Sequence, residues 1–226
     1  KIYGLIGFPL GHSWSPNFFN NKFRKDRINA DYQLFELESI DQFPELLKRH
    51  VNLAGLNVTI PYKQKIIPYL DGLSVAAKTI GAVNTIVFQE EKLIGHNTDA
   101  FGFESTLELL QVPDKCQALI LGTGGSSKAV QYVLSQKGID FTHVSRTKAE
   151  QHITYTDLDK AIIKQHNLIV NCTPIGMSPN TNDCPDIPYK YLSEDHFVID
   201  LVYNPRDTEF LQRAAAKKAK TIGGLH

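Results

Sequence analysis

The chain has 226 residues, 42% apolar and 21% charged, which suits a globular protein of one large domain or two modest ones. Its 24 basic and 24 acidic residues balance to a formal net charge of zero, so no electrostatic footprint points to nucleic acid or to an anionic membrane. No apolar run reaches bilayer-spanning length, Cys116, Cys172 and Cys184 form neither a disulfide framework nor a C-x-x-C pair, and the eight histidines lack H-x-x-x-H spacing, so a cytoplasmic protein without a metal is expected.

Lys1 to Ile6 reads as a short strand, followed by the loop Gly7 to Pro16. Ser15 before Pro16 has the pattern of an N-cap with proline at the first helical position, opening a helix whose apolar face carries Phe18, Phe19 and Phe23. The hydroxyls of Ser13 and Ser15 then lie near free helical N–H groups, a setting that favours a carboxylate. Capping alone accounts for Ser15 but not for Ser13. Tyr32 to Leu37 reads as a second strand, and Asp41 to His50 as a helix with Phe43, Leu46 and Leu47 inward.

Leu53 to Ile60 is a third strand, and Pro61, which has no N–H, should stop it and turn the chain so that Lys63 stands at the mouth of a sheet. A lone lysine there is ordinarily a solvated one. This lysine has company in Asn84 and Asp99, each also at the edge of an apolar segment, and an ammonium, an amide and a carboxylate together make a small-molecule polar site. Ser74 caps a short helix to Ile80, and Asn84 to Phe88 with Lys92 to Ile94 form a hairpin around Gln89-Glu90-Glu91. Strands alternate with helices up to that hairpin, giving an α/β domain with mixed strand directions over residues 1–99.

Asp99 opens a helix through Phe103, Leu107 and Leu110, and a second α/β domain occupies residues 100–226. Its strand Gln117 to Leu121 is largely apolar, fit for burial in a parallel sheet, and runs straight into Gly122-Thr123-Gly124-Gly125-Ser126-Ser127 and a helix. Strand, glycine turn and helix suit a dinucleotide pyrophosphate: Gly122 permits the tight turn, Gly124 lets backbone approach phosphate, and small Ser127 allows close helix–strand packing. Many helix starts carry glycines, so the turn gains its meaning from this context. The next strand, Phe141 to Val144, ends in Ser145-Arg146-Thr147-Lys148, where an NAD site usually offers a carboxylate to the ribose 2′-hydroxyl. A guanidinium and hydroxyls there welcome a 2′-phosphate, so NADP is the expected cofactor. Asp157 to His166 reads as a helix, Leu168 to Val170 and Phe197 to Val202 as buried strands, and Thr208 as the cap of a last helix.

These segments together resemble the shikimate dehydrogenase family, over nearly the whole chain. The marks are the S-x-S loop Ser13-Trp14-Ser15, the N-V-T-x-P-x-K stretch Asn57 to Lys63, G-A-V-N-T at Gly81 to Thr85, G-x-N-T-D-x-x-G at Gly95 to Gly102, the glycine turn Gly122 to Gly125, and N-x-T-P-x-G-M at Asn171 to Met177. Each is weak alone; the ordered set is specific. The resemblance implies a substrate domain with a mixed sheet, a Rossmann-like NADP-binding domain, and an active site in the cleft between them. It implies reversible reduction of 3-dehydroshikimate to shikimate in aromatic amino-acid biosynthesis, by a monomer or homodimer. It assigns Ser13 and Ser15 to the substrate carboxylate, Thr59, Asn84 and Tyr203 to the ring and its hydroxyls, and Lys63 with Asp99 to catalysis. It gives the cofactor Gly122, Thr123, Gly124, Gly125, Ser126, Ser145, Arg146, Thr147, Lys148, Thr173, Met177 and Gly224.

Two departures stand out. The family's N-R-T cofactor motif has Ser145 in place of Asn, with Arg146 and Thr147 kept. The family also continues after Gly224 into a C-terminal helix bearing a substrate-binding Gln, so the sequence is expected to be trimmed inside that motif. The rival readings are an NAD-dependent quinate/shikimate dehydrogenase, a non-catalytic NADP-binding relative, and a folate-linked dehydrogenase. Intact Lys63 and Asp99 argue against the second, and the paired serines, suited to a small carboxylate, against the third.

Overall fold

The computed structural model describes residues 1–11, 13–149 and 152–224. His12, in the loop expected to carry the first serine, and Leu225 and His226, at the chain end, lie outside the described residues. The chain divides into two compact units, Lys1–Thr98 and Asp99–His226, so Asp99, the first residue of a helix, groups with the second.

The first unit is a six-stranded mixed sheet. β1 (Ile2–Gly7) lies between β2 (Asp31–Glu36) and β3 (Leu53–Val58), parallel to both. Beyond β3 come β5 (Thr85–Gln89) and β6 (Lys92–His96) as an antiparallel hairpin, and then the two-residue β4 (Gly72–Leu73) at the edge. Glu90 and Glu91 turn the hairpin with φ of 47° and 64°, the left-handed pair that a two-residue connection requires. Gln89 is paired with Lys92 and so belongs to the strand, not to the expected three-residue turn.

Side chains alternate across the sheet, so consecutive Leu5 and Ile6 enter different cores. Ile6 joins Phe43, Ile66 and Ile86, all essentially inaccessible, on the face covered by α2 (Phe43–Arg49) and α3 (Val75–Ile80). Leu5 packs with Leu10 and Tyr32 against Phe19 and Phe23 of α1 (Ser15–Lys25).

The start of α1 departs from the expectation. The N-cap is Trp14, in right-handed helical conformation, and Ser15 and Pro16 are the first two helical residues, so Ser15 is not the cap. Ser13 does the local work: its Oγ accepts the Ser15 N–H at 3.4 Å. Phe18 does not face the core with Phe19 and Phe23. It is 43% exposed and packs on Trp14 with ring centroids 4.9 Å apart. The expected helix Asp41 to His50 is split into a 3-10 turn Ile40–Gln42, capped by Ser39, and α2, because Pro44 fits only the first turn of a new helix. β3 ends at Val58, two residues before Ile60, because Thr59 enters a turn whose carbonyl accepts the Tyr62 N–H at 2.9 Å.

The second unit begins with α4 (Asp99–Leu109) and holds six parallel strands: β7 (Gln117–Leu121), β8 (Asp140–Ser145), β9 (His152–Thr154), β10 (Leu168–Asn171), β11 (Phe197–Asp200) and β12 (Lys220–Gly223). Their spatial order, β12-β11-β10-β7-β8-β9, sets the first strand beside the fourth, which is the doubly wound Rossmann order with its switch point between β7 and β10. The central strands are apolar apart from Gln117, Asn171 and Asp200 at their ends, because both faces are covered; Leu119, Leu121, Ile169 and Val198 pack with Phe210 and Leu211 of α7 (Glu209–Ala215) and Ile163 of α6 (Lys160–Gln165). The expected helix from Asp157 starts later, at Lys160, because Asp159 caps it, accepting the Ile162 N–H at 2.9 Å, while Tyr155–Asp157 is a 3-10 turn. The strand expected to reach Val202 ends at Asp200, whose carboxylate takes the Val202 N–H.

Candidate active site

Strand direction gathers the polar residues of the first unit at one sheet edge. β1 and β3 are parallel with Ile6 beside Val58, so the Ser13 loop and the Thr59–Lys63 turn leave the same edge. β5 runs antiparallel with Thr85 opposite Asn57, which brings its start, and Asn84 just before it, to that edge. Thr85 is also opposite His96 at the end of β6, so Thr98 follows there. Gly7 allows the close fit of the first two loops, since a Cβ on it would come 2.5 Å from the Thr59 methyl.

Hydrogen bonds hold this edge in place. The Lys63 carbonyl accepts the Val83 N–H at 2.7 Å, which anchors the lysine backbone one residue from Asn84. Asn84, only 9% exposed, donates through Nδ2 to Thr98 Oγ1 and accepts the Thr98 N–H through Oδ1, both at 2.9 Å. Its amide therefore orients the residue that precedes Asp99. Asn57 is a node the sequence reading did not assign: it accepts the Tyr32 hydroxyl at 2.8 Å and donates to Thr85 Oγ1 and to the Asn84 carbonyl. Its place in the N-V-T motif was the available sign.

In the second unit β7 delivers the glycine turn at the switch point. Gly122 has φ of 105°, and a Cβ there would come 2.9 Å from the Thr173 methyl, so glycine is required by both backbone and packing. Gly124 is the N-cap of α5 (Gly125–Gln136), with no side-chain cap, and a Cβ on it would meet nothing within 4 Å. That open space, at a helix start with Thr123, Ser126 and no acidic residue in the first turn, fits a pyrophosphate. Ser127 is buried and donates to the Gly124 carbonyl at 2.7 Å. At the end of β8, Ser145 bonds the carbonyl of Thr147 and accepts its N–H, forming a tight turn that leaves Arg146, Thr147 and Lys148 exposed.

Three further polar groups of the second unit were not singled out in the sequence. His143 Nδ1 lies 3.3 Å from the Gly122 carbonyl; burial holds its pKa below the ordinary imidazole value, the Gly122 contact opposes this, and His152 reinforces it. The Tyr155 hydroxyl is buried without a hydrogen-bond partner among the described residues, and burial, with Cys172 nearby, raises its pKa while Arg146 lowers it. Asp200 is fully buried at the end of β11. It accepts from Asn171 Nδ2 at 2.9 Å, Val202 N–H at 3.0 Å and the Thr208 hydroxyl at 2.6 Å. Burial raises its pKa and those three bonds oppose the rise. Of the remaining expected cofactor residues, Met177 is bound through its N–H to the Pro174 carbonyl, and Gly224 packs where a Cβ would come 2.7 Å from the Leu201 carbonyl oxygen. Tyr203 is half-buried in the segment after β11. Among the described residues, no helix is long and apolar enough to cross a membrane and no cluster of three metal-ligating side chains occurs.

Known proteins share both halves of this pattern. A family model of the shikimate dehydrogenase substrate binding domain matches residues 5–86. The shikimate dehydrogenase (NADP(+)) of Desulforamulus reducens is 38% identical, the match covering 100% of this chain and 84% of that protein. The crystal structure of shikimate dehydrogenase from Aquifex aeolicus superposes with a TM-score of 0.88 at 36% identity, covering 100% of this chain and 86% of that one. Shikimate 5-dehydrogenase from Thermus thermophilus, solved in complex with NADP(H) and shikimate, gives 0.85 at 30% identity, covering 99% and 87%. Identity that runs through the mixed sheet and the Rossmann sheet alike settles the kinship: the chain belongs to the shikimate dehydrogenase family.

Proposed function

We propose that the chain catalyses the reversible, NADPH-dependent reduction of 3-dehydroshikimate to shikimate, a step of aromatic amino-acid and chorismate biosynthesis. The observation that carries this reading is the convergence of the Ser13, Thr59, Lys63 and Asn84 segments on one edge of the mixed sheet, in a chain of this family. Ser13 and Ser15 receive the substrate carboxylate beside the start of α1. Thr59, Asn84 and Tyr203 line the ring and its hydroxyls, and Asn84 also fixes the approach to Asp99 through Thr98.

NADP would be held by the glycine turn Gly122 to Gly125 with Ser126, by Ser145 to Lys148 at its 2′-phosphate, and by Thr173, Met177 and Gly224; when bound it supplies the hydride. The absence of a carboxylate at the end of β8 supports NADP over NAD. Reduction of a carbonyl leaves negative charge on its oxygen, which needs a proton and a nearby cation. The Lys63 ammonium provides both, and Asp99 orients it and accepts a ring hydroxyl. We place the enzyme in the cytoplasm, in keeping with an odd number of widely spaced cysteines that make no disulfide framework, as a monomer or homodimer that sedimentation velocity will distinguish.

The test is a spectrophotometric assay of the reduced nicotinamide band with shikimate or quinate and NADP or NAD. Shikimate with NADP is expected to be turned over fastest. Faster turnover of quinate with NAD, or none of any pair, would overturn the proposal.

A further inference from the structure

Asp200 has no part in the chemistry proposed above, yet it joins two loops that do. β10 and β11 are parallel neighbours with Asn171 beside Asp200 in register, and both side chains are fully buried. A carboxylate only accepts, so Asp200 fixes which end of the Asn171 amide faces it. An amide is nearly symmetric in shape, and its hydrogen-bonding neighbours decide its orientation. With Nδ2 donating to Asp200 at 2.9 Å, and at 3.4 Å to the Ile175 carbonyl, Asn171 turns Oδ1 toward Thr173, where it accepts the N–H at 3.0 Å and the hydroxyl at 2.6 Å. The Thr173 hydroxyl oxygen in turn accepts the Ile175 N–H at 3.3 Å, and its methyl closes against Gly122. An unbroken set of hydrogen bonds thus runs from the carboxylate to the loop against the glycine turn. The other Asp200 bonds reach Val202, one residue before Tyr203, and Thr208, the cap of α7.

We infer that Asp200 is a positioning residue for the cofactor: by orienting the Asn171 amide it holds Thr173 and the 171–177 loop in the arrangement that receives the dinucleotide. The inference rests on the NADP reading above. A purely structural role would make Asp200 matter to stability alone, as Thr208 does through its helix cap, and the two roles part experimentally.

The experiment measures the Kd for NADP by calorimetry, the melting temperature, and, without cofactor, hydrogen exchange at the Thr173 and Ile175 amides. Asp200→Ala and Asn171→Ala should each raise Kd about tenfold, the scale of a hydrogen bond to a charged group, and the double variant should be no weaker than either. Asp200→Asn should stay within about threefold, because its oxygen keeps the Asn171 and Val202 bonds while its nitrogen donates to Thr208. Thr208→Val should melt earlier yet bind within about twofold of wild type. If Asp200→Ala does not fold, Asp200→Ser, which is too short to reach its partners, takes its place. Unchanged affinity in Asp200→Ala or Asp200→Ser, multiplying effects in the double variant, or equal weakening by Thr208→Val would overturn the inference. Wild-type protein that binds no NADP would sink the cofactor reading instead. The exchange data then decide whether Asp200 orders the loop: the two amides should exchange about tenfold faster in Asp200→Ala and Asn171→Ala but not in Thr208→Val.

Discussion

Gly122 and Gly124 sit two residues apart in one turn, and adding the same methyl group to each should have opposite consequences. At Gly122 the backbone has φ of 105°, and the new Cβ would lie 2.9 Å from the Thr173 methyl and 3.4 Å from the Cys172 carbonyl carbon. The conformation costs about 1–2 kcal/mol for a residue with a Cβ, and overpacking a tight contact adds about 1–3 kcal/mol. Gly122→Ala should therefore lose about 2–5 kcal/mol of stability, visible as a lower urea midpoint. At Gly124, φ is −79° and the Cβ would meet nothing within 4 Å, so Gly124→Ala should change stability by less than about 1 kcal/mol. If the pyrophosphate occupies that open space, the methyl will push it off the N–H groups of α5, with the loss of a charge-assisted hydrogen bond, about 1.5–3 kcal/mol, or roughly ten- to a hundredfold in NADP Kd. Urea titration and calorimetric binding on the two variants give a stability and an affinity for each. Unchanged NADP affinity in Gly124→Ala would refute the placement of the phosphates, and a wild-type midpoint in Gly122→Ala would refute the packing argument.

Arg146→Ala should weaken NADP about tenfold or more and NAD little, in parallel KM measurements; equal losses would place the guanidinium elsewhere. Lys63→Ala should lower kcat by about 10²–10⁴-fold with the shikimate KM nearly kept, and combining it with Asp99→Asn should cost less than the product of the single effects, as steady-state kinetics on the three variants will show. Ser15→Ala should raise the KM for shikimate with no fall in melting temperature, because Ser15 is not the helix cap, whereas Ser13→Ala should raise KM and also release the Ser15 N–H. For His143, burial lowers the folded-state pKa below the ordinary value of about 6.5, so its contribution to stability is complete above that value and is lost as pH falls through the lower folded one. Melting curves between about pH 8 and pH 5 should show a smaller acid loss for His143→Gln than for wild type.

The parts legible in the sequence were those whose pattern is local. Gln117 to Leu121 announced a buried strand by its apolar run, and the glycines directly after it announced the turn. Thr208 and Ser74 were readable as caps because the acceptor and its N–H lie three residues apart. What escaped depends on partners far along the chain. A carboxylate at position 200 reads as a solvated strand end until β10 is placed beside it and brings Asn171 into contact. The tie between Asn84 and Thr98 needs the β5–β6 hairpin to fold back. Ser15 was misread because Ser-Pro is a frequent start pattern, and the helical conformation of Trp14, which moves the boundary by one residue, leaves no trace in residue type. β9 and β12 are short edge strands with polar members, and their identity comes from the exposed ladders of β8 and β11 on which they form.

The doubly wound order also sets a timetable for folding. β7 and its glycine turn are synthesised well before β10, yet β10 is the strand that pairs along β7 on the switch-point side, and Thr173 just after it packs on Gly122. Until that strand has emerged and docked, β7 has only β8 to pair with, and Gly122 lacks one wall of its contact. Contacts of such long sequence separation form late and at a cost in chain entropy. An elongating chain that ends before Leu168 therefore carries every glycine of the dinucleotide turn without a finished surface to hold them. The proposed dinucleotide turn therefore gains its Thr173 wall only after β10 has emerged, and the Asp200 contact to Asn171 only after β11.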